Sequence, residues 1–312
     1  MASIPVLDLR AFVDGSPSDQ RAFVEGFGQA LATFGFVTLD HHGVAEALVR
    51  EGFAAAQAFF ALPDADKRAC VVPGTQGNRG YVPFGGERAL GASVADLKEF
   101  FHVGQPAPPA GANPAVYAPN VWPAASPRFE AASLALYAAL EGVALTGLRA
   151  LARYLHLPEE HFASMAVQGN SVLRVIHYPL VPAEAPPGAV RAAAHEDINL
   201  ITLLVESTSG GLELLTRDGT WIPVHALDGQ IVLDAGDMLQ LCTNGRIPST
   251  THRVVDPAGP NTPRYSMPFF THPRPEVLLA PAPGTLTAER PARYAPITAH
   301  DFLTERLRAI TA

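Results

Sequence analysis

The side chains whose types and spacing suggest metal chemistry are His195, Asp197 and His252. His195 and Asp197 stand two apart in Ala192-Ala193-Ala194-His195-Glu196-Asp197, and the run that follows, Ile198-Asn199-Leu200-Ile201-Thr202-Leu203-Leu204, favours an extended backbone. Residues two apart on a strand leave the same face, whereas on a helix they would diverge by roughly 200°. An imidazole and a carboxylate on one face can grip a divalent ion from one side if a third ligand arrives from elsewhere. His252, in Ser249-Thr250-Thr251-His252-Arg253-Val254-Val255, is the candidate. Any one of the 11 histidines is more often structural than a ligand; what singles these two out is a His-x-Asp at a strand start joined by a histidine on a later strand. The 57-residue separation (252 minus 195) holds about four short strands, enough for the chain to cross two sheets and return beside its starting point. Two histidines and one carboxylate that leave the far side of the ion open are the donor set of non-haem iron(II) centres.

Twelve residues after His252 (264 minus 252) comes Arg264-Tyr265-Ser266. Arg264 and Ser266 share a strand face, so a guanidinium fork and a hydroxyl point into one space and together suit a carboxylate. An arginine paired with a neighbouring acid is the plainer reading of Arg264 taken alone. Arg174, Ile176 and Tyr178 share a face on another strand. Tyr178 either donates its hydroxyl to a bound carboxylate or is a core tyrosine. Arg174 is either a second anionic anchor or the partner of a protein carboxylate, since an interior arginine needs one.

These residues have to be positioned by the rest of the chain. Ser16-Pro17 gives a helix start, followed by Phe23, Phe27, Ala30, Leu31 and Phe34 at helical spacing. Short strands are predicted at 4–9 and 35–39, and a second helix carries Val44, Leu48, Phe53, Ala56 and Phe60 on one side, stopping before Pro63. Residues 71–125 are rich in Gly and Pro and read as irregular cover with short strands. A long helix begins at Pro127, with Tyr137, Leu140, Ala144, Leu148, Leu151 and Leu155 spaced by three and four. After Gly169 the period changes to 2, and apolar runs at 171–179, 198–205, 211–216, 230–234, 237–242, 252–255 and 264–271 predict an antiparallel double sheet or barrel. A last helix lies near 299–310. The chain divides into an N-terminal helical and mixed region, 1–125, and a helix scaffold with the β core, 126–312, packed as one globular unit.

With 312 residues, 48% of them hydrophobic and 17% charged, the chain can bury a sizeable core and is not disordered. A net charge of -8 with scattered Lys and Arg argues against nucleic acid as a partner. Cys70 and Cys242 are too few for a disulfide framework or a cysteine zinc site and fit a reducing compartment. The N-terminus lacks the pattern of a signal peptide, and no stretch approaches the roughly 20 apolar residues of a membrane span. The expectation is a cytoplasmic protein acting on a small molecule; oligomeric state is not legible.

These patterns resemble the isopenicillin N synthase-like group of iron(II)- and 2-oxoglutarate-dependent dioxygenases over nearly the whole length. The resemblance rests on Ile4-Pro5-Val6-Leu7-Asp8, Gly35-Phe36-Val37 leading to His42-Gly43, Gly80-Tyr81-Val82-Pro83-Phe84, His195-x-Asp197, His252 and Arg264-x-Ser266. It implies a double-stranded β-helix (jelly-roll) core wrapped by helices and iron(II) ligated by His195, Asp197 and His252. It also implies 2-oxoglutarate chelating that iron, with its far carboxylate on Arg264, Ser266 and Tyr178. O2 is the other co-substrate, and the outcome is hydroxylation, desaturation or cyclisation of a small molecule, with release of succinate and CO2. Many members carry Asn where this chain has Ile176, which removes one polar group near the iron. Glu196, between the ligands, is read as solvated or supporting. An iron(II) oxidase of the same fold that does not use 2-oxoglutarate is the nearest alternative. A non-catalytic jelly roll that binds a small acid would need a broken metal site, and a zinc hydrolase would leave Arg264-x-Ser266 without a role.

Overall fold

The computed structural model describes residues 3–75, 77–88, 94–185, 189–205, 207–224, 229–255 and 260–311. The chain opens with β1 (Val6–Asp8), α1 (Arg10–Val13), α2 (Pro17–Phe34), β2 (Phe36–Asp40), α3 (Glu46–Phe60) and α4 (Asp64–Arg68). It continues through β3 (Gly80–Val82), β4 (Glu99–Gly104), α5 (Pro127–Tyr154), α6 (Glu160–Ala166), β5 (Val172–Tyr178), β6 (Ala192–His195) and β7 (Ile201–Val205). Then come β8 (Leu212–Leu215), β9 (Trp221–Pro223), β10 (Ile231–Ala235), α7 (Asp237–Cys242), β11 (His252–Val254), β12 (Arg264–Ser266) and β13 (Pro268–Thr271). A small ribbon, β14 (Leu278–Leu279) with β15 (Ile297–Thr298), precedes α8 (Ala299–Thr311).

Among the described residues the strands form a large sheet, β1-β2-β10-β7-β13-β5-β4-β3 with β12 also on β5, and a smaller facing sheet, β6-β11-β8-β9. This is the expected jelly roll wrapped by helices. Alternation gives the large sheet two different faces. Leu173 and Val175 of β5, Ile201 and Leu203 of β7, Ile231 and Leu233 of β10 and Phe269 of β13 join the core under the helices. Their neighbours Arg174, Ile176, Tyr178, Thr202, Leu204, Val232, Asp234, Pro268 and Phe270 face the interior of the roll. One face holds the fold together; the other carries the polar groups.

The helices cover the first face. Ser16 caps α2 reciprocally with Asp19, and Pro17 stands at its first position, as the sequence predicts. Gly28 lets α2 lie against α5, because a Cβ there would sit 2.0 Å from Cγ of Tyr154. Gly35 ends α2 at φ 70°, where a Cβ would also meet Thr250 Oγ1 at 2.2 Å. Thr250 donates to the Phe34 carbonyl at 2.8 Å, so the same turn fixes the approach to His252. On α5 the predicted stripe from Tyr137 to Leu155 is buried.

Three expectations are corrected. Residues 237–242 are not a strand but the helix α7; an apolar run of that length has no period that separates the two. Residues 264–271 form two strands, broken at Met267, with β12 on β5 and β13 bridging β5 and β7. One stretch does reach membrane-span dimensions: α5 has 28 residues and an 18-residue window of mean hydropathy 1.5. That window is alanine-rich and 50% buried, and α5 packs on α2, α3, α6 and the sheet, which is the pattern of a central core helix.

Candidate active site

The pairing of β6 with β11 sets His252 directly across from His195. The two rings lie 4.4 Å apart, centroid to centroid. Asp197 is not on the strand: β6 ends at His195, and Asp197 stands in the link to β7. The link is held by α7, whose first N–H groups have no partner within their own helix. The Asp237 N–H donates to the Asp197 carbonyl at 2.8 Å, Gly236 N–H to Leu200 at 3.0 Å, and Met238 N–H to Asn199 at 3.1 Å. A Cβ at Gly236 would meet the Asn199 carbonyl at 2.3 Å, so only glycine admits this contact.

Asp197 Oδ1 is 3.7 Å from His195 Nε2 and 3.9 Å from His252 Nε2, and the three donor atoms all fall within 4.8 Å of one another. Each histidine has its Nδ1 against a carbonyl two residues back, Ala193 at 2.8 Å and Thr250 at 3.1 Å. A carbonyl only accepts, so each Nδ1 carries a hydrogen, and each Nε2 is the nitrogen turned to the common point. Burial and the neighbouring His252 push His195 down to about 4, which keeps it neutral. Asp197 Oδ2 accepts from the Thr202 hydroxyl, and Thr202 in turn accepts from Asn199 Nδ2 at 2.9 Å. That leaves Oδ1 for a metal. Two imidazoles and a fixed carboxylate are a donor set that fits iron(II).

An inner cavity of about 70 Å³ runs from this triad into the roll. At its far end β12 lies on β5 with Arg264 opposite Tyr178 and Ser266 opposite Ile176. Arg264 is 1% exposed, lies over the Tyr178 ring at 5.0 Å, and donates to the Ser209 carbonyl at 3.1 Å and to Ser266 Oγ at 3.2 Å. Its described partners are therefore neutral, and burial lowers its affinity for the proton. A buried cation without a counter-charge is costly, and a carboxylate in this cavity would supply one. Leu204, Leu212, Val232 and Val254 line the cavity and limit water.

Beyond the triad an outer cavity of about 920 Å³ opens under described residues between Val71 and Asp96 and under α8. Arg174 lines both cavities. Its fork meets the two oxygens of Glu87 at 3.0 Å each, and its Nε donates to His102 Nε2 at 2.6 Å. Of the two roles open to Arg174 in the sequence, the structure therefore has the protein-paired one. Glu196 is exposed and accepts from Thr251 Oγ1 at 2.9 Å. Tyr81 lines the outer cavity and bonds Glu99, Phe84 is 45% exposed, and Phe101 is core.

Sequence reasoning missed Lys98, Glu87, Thr202 and Asp234. A lysine just before the apolar pair Phe100-Phe101 was the available signal for Lys98, and alternation from Val232 for Asp234. Burial and nearby Asp197 push the Asp234 carboxyl well above the usual carboxylate range. Glu87, on a loop, gave no signal.

A helix-wrapped jelly roll with a His/Asp/His cluster beside a buried, acid-seeking arginine defines the class of non-haem iron oxygenases. Residues 4–125 match the family described as non-haem dioxygenase in morphine synthesis N-terminal, and 169–273 match the 2OG-Fe(II) oxygenase superfamily. The proline hydroxylase buaE of Petromyces alliaceus is 35% identical over 303 residues, covering 92% of this chain and 93% of the relative. Among solved structures, a 2OG-Fe(II) oxygenase family protein from Caulobacter crescentus is 41% identical with a TM-score of 0.89, covering 99% of this chain and 100% of the other. A full-length Neurospora crassa protein solved in complex with alpha-KG and thymine is 28% identical with a TM-score of 0.88, over 98% of this chain and 96% of the other. The chain belongs to the 2OG-Fe(II) oxygenase superfamily. Its activity is that of a 2-oxoglutarate-dependent dioxygenase, with iron(II), 2-oxoglutarate and O2 as its requirements.

Proposed function

We propose that His195, Asp197 and His252 hold the iron and that Arg264, Ser266 and Tyr178 receive the far carboxylate of 2-oxoglutarate in the inner cavity. A small organic substrate then occupies the outer cavity. The observation that carries this is the buried Arg264 guanidinium, with only neutral described partners, in the same cavity as three converging metal donors. Iron(II) with 2-oxoglutarate supplies O2 activation for C–H oxidation, with succinate and CO2 as by-products. The residues do the rest. Thr202 holds one oxygen of Asp197 away from the metal position, the carbonyls of Ala193 and Thr250 fix the histidine tautomers, and the apolar inner walls exclude water.

The relatives support a small substrate: one is named a proline hydroxylase and another is solved with thymine. We read 1–125 and 126–312 as one working unit, a view supported by Lys98 of the first part lining the cavity walled by the second. Two free, buried thiols, Cys70 and Cys242, support the cytoplasm as its compartment.

Anaerobic titration with ferrous salt tests the ligand set: one equivalent binds the wild type and none binds Asp197→Ala. Retained stoichiometric binding in the variant removes Asp197 from the set. Succinate and CO2 release with iron(II), ascorbate and 2-oxoglutarate separates this reading from the oxidase of the same fold, which would consume no 2-oxoglutarate.

A further inference from the structure

We propose that Glu87 sets the charge preference of the outer cavity, so that it takes an uncharged polar molecule in preference to a carboxylic acid. The inference rests on the assignment of the outer cavity to substrate. Unpaired, Arg174 would be the natural seat for an acidic substrate. Both oxygens of Glu87 occupy its fork, and Glu87 also pairs with Lys98 at 2.7 Å, which is shared with Asp96 at 2.8 Å. Two cations and two carboxylates cancel. The Arg174 Nε goes to His102, and the guanidinium lies over Phe100 at 4.3 Å and Phe270 at 5.2 Å. An incoming carboxylate would have to displace Glu87 from the fork, leaving it in a half-buried place with Lys98 as its one remaining cation, itself shared with Asp96, or approach its charge.

The other cations of the wall do not offer a substitute. Arg79 is 2% exposed and donates to the carbonyls of Ala118 and Asn78 and to Asn170 Oδ1. Arg306 pairs with Asp237 at 2.6 Å. Arg88 and Glu196 are exposed at the rim, where solvent screens them. Arg79 has no carboxylate among its described partners, but its Nε and both terminal nitrogens already donate. Around Arg174 and Lys98 the charge is matched by Glu87 and Asp96, which disfavours a charged ligand and leaves hydrogen bonding and ring contact with Phe100 and Phe270 as the means of recognition.

The test uses matched acids and amides, nicotinate with nicotinamide and benzoate with benzamide. Each is titrated calorimetrically into the anaerobic, iron(II)- and 2-oxoglutarate-loaded protein. Wild type is expected to bind the amides about tenfold more tightly than the acids. Glu87→Gln frees Arg174 and inverts the ratio. Glu87→Gln/Arg174→Gln, which also lacks the staple to the loop, returns to the amide preference, so a change caused by loosening alone would persist there and be recognised. Acids bound as tightly as amides by wild type, no discrimination in any of the three proteins, or an unchanged ratio in Glu87→Gln overturns the proposal. The 2-oxoglutarate titration that precedes each run reports on Arg264 and the metal ligands separately. Its failure refutes the site assignment and this inference with it, whereas normal 2-oxoglutarate binding with an unchanged ratio refutes the role of Glu87 alone.

Discussion

Arg264→Met separates a ligand-binding arginine from a structural one, because the two roles predict opposite signs for the free protein. The substitution keeps an unbranched apolar side chain and removes a buried guanidinium whose described partners, Ser209 O, Ser266 Oγ and Tyr178, are neutral groups. Those hydrogen bonds contribute about 1–3 kcal/mol together, while relief of the buried, uncompensated charge returns an amount on the order of several kcal/mol. The co-substrate-free protein should therefore unfold at an unchanged or slightly higher denaturant concentration. With 2-oxoglutarate present the balance reverses. Loss of a buried charge pair costs about 2–5 kcal/mol of binding, or roughly 30- to 5,000-fold in Kd. At 2-oxoglutarate held at about 100 times the wild-type Kd, the wild type gains about 2.7 kcal/mol of stability and the variant at most about 0.9 kcal/mol. Urea unfolding of anaerobic, iron(II)-loaded protein with and without 2-oxoglutarate reads both quantities. Unchanged 2-oxoglutarate affinity in the variant would refute the placement of the far carboxylate, and a large fall in the stability of the free protein would make Arg264 structural.

Thr202→Val keeps the shape of a buried strand residue but removes the hydroxyl that holds Asp197 Oδ2; the ferrous Kd should rise about 10- to 100-fold, and a titration matching wild type would show that Asp197 needs no such support. Burial pushes His272 down to about 4, below its unfolded value, so its contribution is present above about pH 6.5 and is lost as the pH falls toward 4. Urea unfolding of the metal-free protein between pH 7 and 5 should give a slope for His272→Phe that is shallower by up to about 1.4 kcal/mol per pH unit, and parallel slopes would contradict this. Gly28→Ala forces the Tyr154 ring off α2 and should cost about 1–3 kcal/mol of stability by the same assay, with a wild-type midpoint as the contrary result.

What the sequence disclosed depended on whether a property was local. The period of 2 put Arg264 with Ser266 and Arg174 with Tyr178 on shared faces, and the structure bears both out. The 57-residue interval suggested that His252 returns beside His195, and the register makes them direct cross-strand partners. The manner in which Asp197 joins them was not legible. Its side chain does not reach the site by strand alternation; the link that carries it is clamped by the N-terminus of α7, a helix that sequence pattern had made a strand. Six residues of mixed apolar character carry no usable period, and the contacts that decide the outcome run to residues some 40 positions earlier.

The same distinction explains why the metal centre is written more plainly than the substrate site. Metal donors must be of a few residue types and close in space, so they leave motifs. Charge preference in the outer cavity depends instead on whether Glu87, 87 positions before Arg174, reaches it across the fold. Arg174 alone reads as an anchor for an acid; Arg174 with Glu87 reads as a closed pair. The jelly roll supplies the arginine on a rigid strand and the irregular N-terminal segment supplies its partner on a loop. A change of one loop residue would then redirect the cavity between acidic and uncharged molecules while the proposed iron and 2-oxoglutarate contacts, held on β5, β6, β11, β12 and the link from β6 to β7, stay in place.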